Sequence, residues 1–96
     1  METSTIKLLT IYTEAALEST LKRVLDKNGV EGYTIINARG KGRSGSRNAF
    51  WEANSNIRVE VLCEEAIAQQ LIEELHRKYG ENYALMTYVV NATVMW

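Results

Sequence analysis

Between Arg39 and Arg47 the chain reads Arg-Gly-Lys-Gly-Arg-Ser-Gly-Ser-Arg, which places four cations, three glycines and two hydroxyls in nine residues. An oligophosphate needs this combination. Gly40, Gly42 and Gly45 let the backbone approach closely, the free amides and Ser44 can donate hydrogen bonds, and Lys41, Arg43 and Arg47 offset negative charge. The stretch is no P-loop: GxxxxGK[ST] has no match, and the chain continues into a strand instead of a helix N-terminus. A helix dipole therefore cannot assist, and the cations carry more of the attraction. The same composition also describes a solvated hairpin loop whose charges serve solubility, and the residues alone leave both readings open. Phe50 and Trp51 close the segment. They either fold back onto a sheet or stay exposed as an anchor for a partner protein, since aromatic side chains dominate interface hot spots.

The charge of the whole chain conceals this island. Eleven basic and twelve acidic residues give a formal net charge of −1, yet residues 32–51 hold Arg39, Lys41, Arg43 and Arg47 and no acid. The remainder carries seven basic and twelve acidic side chains. With 96 residues, 46% apolar and 24% charged, the composition is that of one small globular domain and excludes a disordered tail. So short a chain buries a modest fraction of its surface, which makes association an expectation. No apolar run approaches a membrane span, and Met1–Thr5 does not read as a secretory leader, so a cytoplasmic location is expected. The single cysteine, Cys63, excludes an internal disulfide and a multi-cysteine metal site within one chain.

The elements that must position the loop follow from periodicity. Ile6–Thr13 reads as a strand apolar on both faces, hence central in its sheet. Thr13 is expected to cap a helix with Glu14 in its first turn. Leu17, Leu21, Val24 and Leu25 form that helix's apolar stripe, and Asn28-Gly29 ends it. Gly32–Asn37 reads as a second strand. Arg39–Asn54 then has a period of neither two nor 3.6, and a patternless stretch this long is usually functional or disordered. Alternating Ile57, Val59, Val61 and Cys63 give a third strand over Asn56–Cys63. Ala68, Leu71, Ile72, Leu75 and Tyr79 stripe a second helix over Glu64–Tyr79, stopped by Gly80, and Tyr83–Trp96 reads as the last strand. The order βαββαβ predicts the ferredoxin-like α+β sandwich, a four-stranded antiparallel sheet with two helices on one face. Leu9, Ile11, Ile36, Leu62 and one side of the last strand are expected on the uncovered face. That is too much apolar surface for water, and predicts a homo-oligomer.

At this point the chain resembles a known family. The strand with Thr13-Glu14, then Asn28-Gly29, Gly32-Tyr33-Thr34, Gly40-Lys41-Gly42 opening a long loop, the strand Asn56-Ile57-Arg58-Val59-Glu60-Val61-Leu62, and Tyr79 with Tyr83-Ala84 are together similar to the PII-like signalling proteins. The resemblance covers nearly the whole chain and points to the SbtB bicarbonate-transporter regulators and the carboxysome-associated branch. It implies a single PII-like domain over residues 1–96, a compact homotrimer, adenine nucleotides in clefts between subunits, and a flexible T-loop at about residues 39–54. Carried across, Tyr33 and Thr34 lie beside the cleft, and Gly40, Lys41 and Gly42 form the T-loop base. Arg43 and Arg47 are phosphate contacts with Ser44 and Gly45 between them, Asn56 stands on the opposite stem, and Tyr88, Val89 and Asn91 belong to the neighbouring wall. The implied ligands are AMP, ADP, ATP or cyclic AMP, with bicarbonate as a candidate co-ligand and no metal firmly implied. The implied partner is a bicarbonate transporter or a carboxysome component, which would recruit the protein to the inner membrane or the carboxysome. The loop is shorter than in SbtB proteins and its basic residues are spaced differently, which is closer to the carboxysome-associated branch. No C-terminal cysteine-containing extension after Trp96 is expected, and the loop Arg39–Asn54 has no tyrosine to match the uridylylated one of PII proteins.

Other candidates for chemistry have simpler explanations. His76 lies off the apolar stripe near a helix C-terminus, where a cation is favourable. Glu64-Glu65 and Glu73-Glu74 are expected at a helix start and on its solvated face. Without a nucleophile–base pair, the chain is read as a non-enzyme. Two alternatives remain: an RNA-binding ferredoxin-like module, which would want paired exposed aromatics on the first and third strands, and a CutA-like metal-responsive trimer, for which one cysteine and one histidine are poor ligands.

Overall fold

The structure, a computed structural model, describes residues 1–39 and 56–96. The elements are β1 (Thr3–Glu14), α1 (Glu18–Lys27), β2 (Thr34–Ala38), β3 (Asn56–Cys63), α2 (Glu65–Tyr79) and β4 (Leu85–Met95). All strand pairings are antiparallel, in the sheet order β2-β3-β1-β4. This is the predicted ferredoxin-like α+β fold. Residues 39–54, where the phosphate-binding loop and the aromatic pair Phe50-Trp51 are expected, fall outside the described residues except for Arg39.

β1 is longer than its apolar pattern suggests because pairing extends it: Thr3, Ser4 and Thr5 face Met95, Val94 and Thr93 of β4. At its other end Thr13 and Glu14 do not cap a helix, as the sequence suggested. The Thr13 hydroxyl, fully buried, donates to the Ala84 carbonyl at 2.7 Å, and the Ala84 amide donates to Glu14 Oε2 at 2.7 Å. Two adjacent side chains thus fasten the chain just before β4, and a 3-10 turn at Ala15–Leu17 leads into α1 instead. A buried hydroxyl needs a partner, and a strand position supplied one before a cap could.

The end of α1 behaves as predicted. Gly29 has φ +79°, the Val30 amide bonds the Leu25 carbonyl, and the Gly29 amide bonds the Asp26 carbonyl, each at 3.1 Å. These are the paired bonds of a Schellman cap. Gly80 stops α2 for another reason. Its φ is −63°, but a Cβ there would come within 2.5 Å of the His76 carbonyl oxygen, so close approach excludes a side chain.

The helices cover one face of the sheet. Leu9, Ile11, Ile57, Val59 and Val61 pack there against Leu21, Leu25, Ala68, Leu71 and Leu75. Leu9 and Ile11 are therefore core residues and not part of the uncovered face, contrary to expectation. Alternation could not decide between two apolar faces of β1; the register does, since Leu9 pairs with Val61 and Ile11 with Val59. Ile36 and Leu62 do lie on the uncovered face, 37% and 43% exposed.

Glu74 also departs from its expected place. It is buried and not solvated, and its Oε2 accepts from Lys27 Nζ at 2.7 Å and Lys78 Nζ at 3.0 Å, while Oε1 accepts from Asn28 Nδ2 at 3.2 Å. The clasp joins the end of α1 to α2. These bonds, Lys27's first, lower the Glu74 pKa from 4.5 to about 2. A carboxyl with a depressed folded-state pKa stabilises the fold above its unfolded pKa and loses that contribution as pH falls. The window is therefore pH 4.5 down to about 2. Glu74→Gln should be less stable than the wild type at pH 7, with the gap in thermal midpoint closing across that window. A gap that stays constant from pH 5 to pH 2 would show that Glu74 is not ionically clasped.

Candidate nucleotide-binding site

Side chains of paired residues share a face, so the register lays out the uncovered side of the sheet in rows. Thr34, Glu60, Thr10 and Tyr88 form one row from β2 to β4. Ile36, Arg58, Tyr12 and Met86 form the next row towards the loop, and Leu62, Leu8 and Val90 the next row away from it. Tyr88, Met86 and Val90 are each 45–49% exposed, a run of large side chains on one face that single surface residues do not make.

A cleft of about 620 Å³ opens at the far corner of this face. Ile6, Leu8 and Leu62 supply an apolar floor and Glu60 a carboxylate. Residues 31–34 form one wall, with Tyr33 also packed against the core, and Trp96 lines the opposite side. A small-molecule site has this composition and size: mostly apolar, with a few polar groups.

An ion pair of the same face lies beside it. Arg58 Nε stands 3.6 Å from Glu60 Oε2. A hydrogen bond to Tyr12 and then the Glu60 charge push the Arg58 pKa up, so the guanidinium is fixed as a cation. The Tyr12 ring lies 6.4 Å from that of Tyr88, which places the aromatic pair of this face on β1 and β4 and not on the first and third strands.

The sequence-derived site residues separate into groups. Tyr33 and Thr34 meet in the cleft. Asn56 is buried at the loop end of β3, paired with Ala38 and Glu14. Tyr88 shares the uncovered face, whereas Val89 and Asn91 lie on the opposite one, where Asn91 accepts a hydrogen bond from Lys7. Gly40, Lys41, Gly42, Arg43, Ser44, Gly45 and Arg47 lie outside the described residues, as do Phe50 and Trp51. Glu60, Leu62 and Trp96 were not foreseen as cleft residues. For Glu60 a signal existed, a lone acid among the strand's apolar residues; for Trp96 none did, because its neighbours come from distant strands.

The profile of nitrogen regulatory protein P-II matches residues 6–95. The chain belongs to the P-II family. Its fold superposes on a PII-like signalling protein of Thermus thermophilus with a TM-score of 0.81 at 38% identity, over 99% of this chain and 94% of that one. CPII of Thiomonas intermedia K12, a PII-like protein bound to ADP, AMP and acetate, gives 0.83 at 27% identity over 100% and 94%. The same protein bound to ADP, AMP and bicarbonate gives 0.82 at 26% identity over 99% and 100%.

In this P-II domain the remaining candidates are structural. His76 Nε2 lies 2.9 Å from Thr87 Oγ1, tying α2 to β4. Among the described residues no three His, Cys, Asp or Glu side chains converge on a metal position. None of the described helices is long and apolar enough to cross a membrane. Cys63 is buried on the helix side, and burial pushes its thiol pKa up, which leaves less of the reactive thiolate. Cys63 should therefore resist a thiol reagent at pH 8 in the native protein and react fully in denaturant. Rapid stoichiometric labelling of the native protein would contradict its placement.

Proposed function

We propose that the protein is a non-catalytic adenine-nucleotide sensor that acts as a homotrimer and reports its ligand to a partner through residues 39–54. The observation that carries this is the cleft at the start of β2. β2 runs from Thr34 at the cleft to Ala38 at the root of the basic loop. At about 3.3 Å per residue that is roughly 13 Å, a span that a nucleoside diphosphate bridges. The base lies against Tyr33, Thr34, Glu60 and Leu62. The phosphates extend towards Lys41, Arg43 and Arg47, with Gly40, Gly42, Ser44 and Gly45 offering close backbone and hydroxyl contacts, and Asn56 on the opposite stem. CPII, bound to ADP, AMP and bicarbonate, supports both the ligand class and a link to inorganic carbon.

The exposed apolar face supports assembly with the sheets turned inward, which brings the edge of a neighbour's β4, with Tyr88, Val89 and Asn91, to the cleft as its outer wall. Bound nucleotide shifts the loop by its differential affinity for the loop's alternative states, and Phe50 and Trp51 then present a changed surface. The partner is a bicarbonate transporter or a carboxysome component, met from the cytoplasm.

Calorimetry with AMP, ADP, ATP and cyclic AMP tests the ligand. Binding of at least one is expected, with Arg43→Ala and Arg47→Ala weakening the more highly phosphorylated ligands most. Silence towards all four at millimolar concentration would defeat the proposal. Assembly has its own test. Val90→Glu should lower stability in a manner that depends on protein concentration, as mass action requires. Leu9→Ala, on the core face, should cost about 2–5 kcal/mol at every concentration. A wild-type protein that scatters light as a monomer at micromolar concentration would rule the trimer out.

A further inference from the structure

Trp96 follows β4, and its backbone amide donates to the Glu2 carbonyl at 3.0 Å, which carries the β1–β4 ladder one step past Met95. Alternation along β4 puts its side chain on the uncovered face with Val90 and Val94. The indole lines the cleft across from Tyr33, yet it is 71% exposed and takes no part in the helix-side core. The ladder fixes the point from which the ring springs, and a tryptophan has only two side-chain torsions to order when a ligand stacks on it.

We propose that Trp96 is the stacking wall of the nucleotide cleft and sets its preference for a purine over a pyrimidine base. This rests on the nucleotide reading above. Glu60 offers a carboxylate acceptor to a base's exocyclic amino group, but adenine and cytosine both carry one, so that hydrogen bond separates the two poorly. Stacked area does separate them: the two-ring base covers more of the indole and of the apolar floor made by Ile6, Leu8 and Leu62. Trp96 acts here as a specificity-determining contact on the base, remote from the phosphates.

Calorimetric titration of the full chain with ADP and with CDP tests this, alongside Trp96→Ala and Trp96→Phe. The wild type should prefer ADP about tenfold or more, and Trp96→Ala should weaken ADP about tenfold and bring the two ligands close to parity. Trp96→Phe should keep most of the preference. In a Trp51→Phe background, where Trp96 is the sole indole, saturating ADP should change the fluorescence. That readout needs no Trp96 variant to fold. Unchanged ADP affinity in Trp96→Ala, or unchanged emission at saturation, overturns the assignment and leaves the nucleotide reading intact. Trp96→Ala that loses its oligomeric state by light scattering makes the indole a contact between copies and also overturns it. A wild type that binds neither nucleotide removes the underlying reading itself.

Discussion

Eight residues of β1 pair with β3 and eleven pair with β4, and because side chains alternate, this double register assigns almost every residue of the sheet to a face. Everything else in the molecule depends on it. Leu9 and Ile11 meet the helices only because Val61 and Val59 stand beside them; a slip of one residue would turn Leu8, Thr10 and Tyr12 inward and expose the core. Thr13 and Glu14 secure the register at one end by gripping Ala84 from both sides of its peptide. The backbone bond from Trp96 to Glu2 secures the other.

The face left uncovered is where the domain's polar chemistry and its apolar surplus meet. Arg58 and Glu60 sit among Ile36, Leu62, Tyr12 and Tyr88, so a second sheet laid on this face would desolvate a charge pair, which adds little net attraction but penalises misaligned packing. The basic residues Lys41, Arg43 and Arg47 follow the end of β2 in the sequence and lie outside the described residues. The chain's near-zero net charge is the sum of two unlike stretches: residues 32–51, with four cations and no acid, and a remainder with seven basic and twelve acidic side chains.

Much of the fold was legible in the sequence. The third strand is found at its predicted bounds because alternation there is strict and Asn56 marks its start. The α1 terminus is found at Asn28-Gly29 because only a residue tolerant of positive φ can stand at Gly29. What escaped prediction depends on tertiary contact. The two apolar faces of β1 look alike until β3 is placed. Glu74 looks solvated until α1 brings Lys27 and Asn28 to it, and Thr13 looks like a cap until Ala84 arrives. Likewise Tyr33 and Thr34 were legible as cleft residues through a family resemblance, while Glu60, Leu62 and Trp96 join them only through the sheet's cross-strand neighbours.

β4 stands at the edge of the sheet, eleven residues long and interrupted by no proline. One rim of its backbone therefore carries a row of amides and carbonyls that β1 does not use. Such a rim is a template for another chain, and its usual safeguards are charged side chains, bulges or a covering element. Leu85–Met95 has no charged residue at all. Protection must come from elsewhere, and the whole-chain charge offers little, since the isoelectric point of about 5.8 lies close to mildly acidic conditions. Among the described residues nothing pairs with this rim of β4, so the strand that carries the exposed Tyr88 and Val90 also carries an open hydrogen-bonding edge and is the colloidal weak point of the isolated subunit. For this domain, assembly and solubility are two sides of one strand.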